Sequence, residues 1–298
     1  MGLLEAHASF AGKTAVIIGG AGGVGRAITL ALANAGVDIA TCDIDADAGQ
    51  RIVEETQALG RNILFATADV RDQQALDQFY DRVEKQCDRL DILVNVAGGV
   101  TRMMPLAETT REQNAAEIRL NYGYVIDSIQ RALPLIRKGG RGGSIINFTT
   151  IEAYRGAATL SVYAGAKAAT GNFSRAMAVE LAAERIRVNV IAPDTTPSLA
   201  GLGTLAPAVR AKFEQLPPEV MAQGYKIYIP QQQAPSTEDL ADAVLFLASD
   251  LSRAITGITL HVDGGTMASS GFLHWPFGDG YGPSPMPGTL SAIFDRCG

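Results

Sequence analysis

The stretch KTAVIIGGAGGVGRAITLALANAG, Lys13 to Gly36, decides the fold. Its apolar, β-branched run from Ala15 to Ile18 reads as a buried strand, and the pattern from Val24 to Ala35 reads as a helix. Between them Gly19, Gly23 and Gly25 have the spacing G-x-x-x-G-x-G, which lets backbone amides approach a pyrophosphate at the positive end of a helix. Taken alone, such a turn is also compatible with a tight loop that binds nothing. The next apolar run, however, ends in Asp43, a carboxylate placed to accept hydrogen bonds from an adenosine ribose. Strand, turn, helix and terminal acid together predict a dinucleotide site. A ribose 2′-phosphate would sit against the negative charge of Asp43, and Gly22 and Ile44 to Gly49 offer no compensating cation. NAD is therefore expected over NADP, with Arg26 and Arg51 the nearby cations that would weaken the preference.

Outward from this unit, strands alternate with helical patterns. Strands are predicted at Ala15–Ile18, Asp38–Cys42, Ile63–Ala68, Ile92–Val96, Ser144–Phe148, Arg187–Ile191 and Thr259–Val262. Helices are predicted at Val24–Ala35, Ala46–Leu59, Gln73–Gln86, Glu112–Arg137, Val162–Glu184 and Thr237–Ser249. This alternation implies an α/β fold, a doubly wound parallel sheet of seven strands covered by helices on both faces, with ligands at the carboxyl edge. A chain of 298 residues with 47% hydrophobic content can build this as one domain over residues 1–298. A formal net charge of −6 with no dense basic stretch argues against nucleic acid or an anionic membrane as partner. Cys42, Cys87 and Cys297 are scattered, and His7, His261 and His274 lack metal-ligand spacing, so neither a disulfide framework nor a metal site is expected. The start MGLLEAHASF carries no targeting pattern and no apolar run is long enough to span a membrane, so a cytoplasmic location is expected.

The chemistry is concentrated in SVYAGAKAAT, where Tyr163 and Lys167 stand four residues apart on a predicted helix and so share a face. A phenol is a poor acid or base near neutrality, but a neighbouring ammonium favours its anion. The pair is a design for general acid/base catalysis, although the same spacing also occurs by chance on solvated helices.

These residues together resemble the short-chain dehydrogenase/reductase family, from about Phe10 to Gly265. The matching patterns are GGAGGVG, the pair Asp69 and Val70, NVAGG from Asn95 to Gly99, Asn121 in RLNYG, YAGAK, and HVDGG. The resemblance implies a Rossmann-type sheet of order 3-2-1-4-5-6-7. It implies that Tyr163 exchanges a proton with the substrate oxygen, and that Lys167 lowers the tyrosine pKa and holds the nicotinamide ribose. Asn121 would help to hold a water in the proton relay, Asn95 would steady the central sheet and Asp69 would lie beside the adenine. Gly19, Gly22, Gly23, Val24, Gly25, Asp43, Ile44, Asp69, Val70, Asn95, Ala97, Gly98, Tyr163, Lys167, Pro193, Asp194 and Thr196 would line the cofactor. Homodimers or homotetramers built on the helices containing Asn121 and Tyr163 are implied in the same way.

Departures from the family pattern stand at three positions. Thr150 occupies the catalytic serine position and keeps the donor and acceptor capacity of a hydroxyl. Asp194 replaces the glycine of the usual Pro-Gly pair, placing a carboxylate near the nicotinamide site that would repel an anionic substrate. Ile18 replaces the threonine that opens the turn. Residues 194–236 are expected to form a substrate-binding lid, with an apolar face from Leu199, Leu205, Phe213, Met221 and Tyr228 and a short helix over Pro207 to Gln215. The extension 266–298 is expected to lack regular structure and to pack Phe272, Trp275 and Phe277 over the lid or a neighbouring subunit. The expected function is NAD-dependent interconversion of an uncharged, mainly apolar secondary alcohol, such as a cyclic one, and its ketone. An NADP-dependent carbonyl reductase and an NAD-sensing binding protein with weak catalysis are the alternatives.

Overall fold

A computed structural model describes residues 8–197, 211, 215, 217–269, 271–274 and 281–283. The main sheet has seven strands: β1 Thr14–Ile18, β2 Asp38–Asp43, β3 Ile63–Thr67, β4 Ile92–Asn95, β5 Gly143–Phe148, β6 Ile186–Pro193 and β7 Thr259–Val262. Their order is β3-β2-β1-β4-β5-β6-β7, as the resemblance implies, and every pairing is parallel. The register sets Ile18 opposite both Cys42 and Asn95, and Asn95 opposite Asn147, so the strands end along one rim.

Eight helices of eight residues or more are described: α1 Gly23–Asn34, α2 Ala46–Ala58, α3 Gln73–Gln86, α4 Arg111–Ile118, α5 Tyr124–Lys138, α6 Ser161–Leu181, α7 Pro218–Tyr228 and α8 Thr237–Ala248. Period-two alternation in β1 sends Val16 and Ile18 into one core with α3, α5 and α6, and Ala15 and Ile17 into another with α1 and α8. In α3, Leu76, Phe79, Tyr80 and Val83 recur at helical spacing and are all buried, each large apolar side chain contributing about 1.5–3 kcal/mol. Asp72 caps this helix by accepting from the amides of Gln74 and Ala75, and Asp45 caps α2 through Ala48.

In three places the structure differs from the expectations. The single helix expected over Glu112–Arg137 is interrupted by a π-helical turn, Arg119–Gly123, between α4 and α5. The wider turn rotates Asn121 fully inward, a use of π-geometry common at functional sites. Helix α7 lies inside the expected lid and opens on Pro218, which suits the first helical turn. The extension does have regular structure: β8 Phe272–His274 pairs antiparallel with β9 Tyr281–Pro283. Pro283 stands at the strand end, where its missing amide costs least. The helix expected over Pro207–Gln215 lies almost wholly outside the described residues, as do Leu199, Leu205, Phe213, Trp275 and Phe277.

A buried polar ladder crosses beneath the rim. Tyr80 Oη and Ser128 Oγ are 2.8 Å apart, Ser128 Oγ donates to Asn95 Oδ1 at 2.6 Å, and Asn95 Nδ2 donates to Asn147 Oδ1 at 2.8 Å. Asn147 Nδ2 continues to Ser174 Oγ at 2.9 Å, and Ser174 Oγ donates to the Thr170 carbonyl at 2.7 Å. Thr170 Oγ1 then reaches the Asn121 carbonyl at 3.0 Å. Every donor in the ladder is satisfied, which makes it a rigid support rather than a defect. Ser128→Ala strands Asn95 Oδ1 and the Tyr80 hydroxyl, and should cost about 1–3 kcal/mol in urea unfolding followed by circular dichroism. An unchanged midpoint would show that the ladder carries no stability.

Candidate active site

The turn between β1 and α1 is shaped by close backbone approach. Gly19 and Gly23 have φ of 89° and 50°, where glycine is favoured. A Cβ on Gly25 would stand 1.8 Å from the Gly19 carbonyl oxygen, and one on Gly19 would stand 2.8 Å from Ala97 Cα. Gly22 caps α1 with no side-chain hydrogen bond, leaving first-turn amides available to an anion. Asp43 Oδ2 accepts from the Ala21 amide at 3.0 Å and Oδ1 from Asp45 at 3.2 Å, so the acid that faces the expected ribose also ties β2 to the turn. Ile44 beside it is 60% exposed. Asp69 is held by Arg71 at 2.7 Å, which keeps its carboxyl below the usual range, and Val70 is buried. Arg26, a cation that bears on cofactor preference, pairs with Glu55 through bonds of 2.9 and 2.7 Å.

At the next position along the rim, Gly98 and Gly99 adopt φ of 137° and 147°. Asn121 clamps them: its Oδ1 accepts from the Gly99 amide at 3.0 Å, while Nδ2 donates to the Gly99 carbonyl at 3.1 Å. A Cβ on Gly98 would meet Asn121 Oδ1 at 2.8 Å and Lys167 Nζ at 3.1 Å. The amide of Asn121 is thus committed to the Gly99 backbone and to Glu117, and its carbonyl to Thr170, so a relay water would have to use the second lone pair of that carbonyl.

Helix α6 carries Tyr163 half-buried and Lys167 buried, on one face as its spacing requires. Lys167 Nζ donates to the Phe148 carbonyl at 3.1 Å, and the Lys167 carbonyl accepts from Thr149 Oγ1 at 2.7 Å. Burial lowers the Lys167 pKa to about 8, with Glu117 opposing. Tyr163 is hydrogen-bonded to Thr150. Its pKa corrects the expectation. Burial first, then the carboxylates of Glu152, Glu117 and Asp194, push the phenol up, against the downward pull of the Thr150 bond. The ammonium expected to acidify it is turned toward Phe148 instead.

The sequence reading missed a group of residues that gathers around this pair. Thr150 Oγ1 donates to Glu152 Oε2 at 2.5 Å. Arg155 then joins Glu152 at 2.5 Å to Tyr228 Oη at 2.5 Å, and Tyr228 Oη donates to Asp194 Oδ2 at 2.5 Å. The strap ties the turn after β5 to α7 and to the end of β6. Asp194 also accepts from Thr195 Oγ1 at 2.8 Å, so its charge is engaged. A signal was present in Glu152, two residues after the catalytic-position hydroxyl, but its partner Tyr228 lies far along the chain. Tyr163 also lines a narrow cleft of only about 20 Å³, with Arg102, Met104, Asn114, Glu117 and Leu160.

These features fit a dinucleotide. The glycine cradle would be filled by any Cβ, the cap of α1 is bare, and Thr196 Oγ1, just beyond Pro193, is buried without a hydrogen-bond partner. Among the described residues no cluster suits a metal ion, and no helix is long and apolar enough to cross a membrane.

Fold and site together define an oxidoreductase built on a dinucleotide-binding sheet. Residues 19–267 match the family model described as enoyl-(acyl carrier protein) reductase, and the chain belongs to the short-chain dehydrogenase/reductase family. It is 32% identical over 257 residues to 7α-hydroxysteroid dehydrogenase of Escherichia coli (strain K12), covering 85% of this chain and 94% of that protein. It is 34% identical over 254 residues to 2,3-dihydro-2,3-dihydroxybenzoate dehydrogenase of Bacillus subtilis (strain 168), covering 85% of this chain and 95% of that protein. The crystal structure of carveol dehydrogenase from Mycobacterium avium in complex with NAD superposes with a TM-score of 0.77 at 30% identity, covering 87% of this chain and 99% of that one.

Arg155→Met should release α7 from the site. Hydrogen exchange across residues 218–228 is expected to rise roughly tenfold as the charge-assisted bonds are lost. Unaltered exchange would mean that the strap does not hold the helix.

Proposed function

We propose that the protein interconverts a secondary alcohol and its ketone with NAD, on an uncharged, mainly apolar substrate. The observation that carries this is the convergence of Tyr163, Lys167, Thr150 and Asn121 on the rim beside Gly98, next to the glycine cradle. The names of the similar hydroxysteroid, dihydrodiol and carveol dehydrogenases support alcohol chemistry on ring-bearing substrates. NAD rather than NADP is supported by Asp43 at the end of β2, by the engagement of Arg26 with Glu55, and by the NAD-bound carveol dehydrogenase.

When bound, NAD supplies the hydride-accepting carbon, and the chain supplies position and charge. In alcohol oxidation Tyr163 Oη takes the hydroxyl proton as phenolate. Thr150 Oγ1 orients the substrate oxygen, and must give up its bond to Glu152 to donate to it. The Lys167 ammonium, bonded to the Phe148 carbonyl and bordering Gly98, would hold the nicotinamide ribose, and Asn121 holds the Gly98–Gly99 floor. Buried carboxylates around Tyr163 make an anionic substrate unwelcome. Self-association through the faces of α5 and α6, where Ile126 and Val179 are exposed, belongs to the same reading.

Tyr163→Phe should reduce turnover of cyclohexanol and related alcohols by about 10²-fold or more while leaving NAD affinity intact. Near-normal turnover would overturn the mechanism. Asp43→Ala should bring the NAD and NADP dissociation constants together, and an unchanged ratio would refute the role of Asp43. The sign of the pH dependence also follows. Oxidation, which uses the phenolate, should rise with pH, and ketone reduction, which uses the protonated phenol, should be favoured at lower pH, because burial and the carboxylates around Tyr163 hold the phenol protonated.

A further inference from the structure

Glu117 is the one buried side chain of α4, and it is a carboxylate at 4% exposure. Burying an ion costs several kcal/mol in general, so it persists only where its charge or its hydrogen bonds are used. Its side-chain hydrogen bonds go to Asn121 and to Thr101. Glu117 Oε1 accepts from Asn121 Nδ2 at 3.2 Å and from the Thr101 amide at 3.5 Å, and Oε2 accepts from Thr101 Oγ1. Its ion partner is Arg102, whose Nη1 lies 4.0 Å away and bonds also to the Gln113 carbonyl at 3.0 Å. Glu117 shares the cleft with Tyr163, and α4 packs against α6. Asn121 links it onward, because Asn121 Oδ1 and Lys167 Nζ both border the space that a Cβ on Gly98 would take.

We propose that Glu117 is a positioning residue of this active site: the buried carboxylate that supplies the negative charge opposite the Lys167 ammonium and fixes the amide of Asn121 against the Gly98–Gly99 floor. The inference rests on the alcohol dehydrogenase reading for its consequence and on the site geometry for its substance. The groups facing the Tyr163–Lys167 pair are Glu117 from α4, Arg102 from the loop after β4, Glu152 and Arg155 from the turn after β5, and Asp194 after β6. Of the carboxylates among them, Glu152 and Asp194 share Arg155. Glu117 is the one that acts on Lys167 as well as on Tyr163, raising both. Its loss therefore lets both groups release protons more readily, and the whole pH profile should move to lower pH. A purely structural glutamate would change affinity or stability and leave the profile in place.

The test is a ¹³Cε-lysine NMR titration of the NAD-loaded enzyme, with the Lys167 signal identified by its loss in Lys167→Arg. Glu117→Gln keeps the shape and removes the charge, with its Oε1 still accepting from Asn121 and its new Nε2 donating to Thr101 Oγ1 in place of accepting from it. It should lower the Lys167 midpoint by about one pH unit and shift the rate profile for cyclohexanol oxidation the same way. Glu117→Asp should return the midpoint toward the wild-type value. Arg102→Gln, at a partly exposed position, removes the offsetting cation and should raise it, so an answer is obtained even if Glu117→Gln fails to fold. Midpoints that coincide across wild type and these variants would overturn the proposal. The NMR readout needs no substrate. A shifted midpoint alongside an active Tyr163→Phe enzyme would therefore sink the dehydrogenase mechanism and spare this inference, and the converse pairing would do the reverse.

Discussion

Burying an ammonium is the constraint around which the rest of this molecule is arranged. Lys167 is 4% exposed, and its ammonium donates to the Phe148 carbonyl at the end of β5. Holding a charge there requires a rigid rim, an opposing charge and a polar scaffold that does not collapse onto it. The parallel register supplies the rim by ending β1, β4 and β5 together. The ladder from Tyr80 through Asn95 and Asn147 to Ser174 supplies the scaffold. Glu117, reached through Asn121, stands where an opposing charge is needed.

The same low-dielectric surroundings explain why the phenol behaves as it does. Tyr163 sits among Glu152, Glu117 and Asp194, and burial compounds their effect, so the free protein holds it protonated. The strap of Arg155 and Tyr228 draws two of those carboxylates into a network with α7, which couples the outer wall of the site to the catalytic-position hydroxyl of Thr150. Cationic or neutral groups entering the site meet a favourable field, and anions do not.

Much of this was legible in the chain. The β-branched runs and glycine punctuation mark the strands through local signals, their order came from the family resemblance, and G-x-x-x-G-x-G with Asp43 marks the turn because each residue there answers a backbone need. Tyr163, Lys167 and Asn121 were recoverable because motif spacing carries them. Glu117 was not, since a glutamate on a helix of eight residues reads as solvated until a π-turn and the loop at Thr101 bury it. Arg155 and Tyr228 were hidden for a related reason: their partnership joins positions with no pattern between them. The direction of the Tyr163 shift was misjudged because it depends first on burial and then on carboxylates brought in from three separate elements.

The measurement that bears most directly on this account is the titration of the Tyr163 phenol, read in the tyrosinate ultraviolet band as wild type minus Tyr163→Phe, with and without saturating NAD. A site built to pair a buried phenol with the positive charge of the oxidised cofactor should show the midpoint high in the free protein and drawn toward neutrality when NAD binds. A midpoint that NAD leaves where it was would contradict the account.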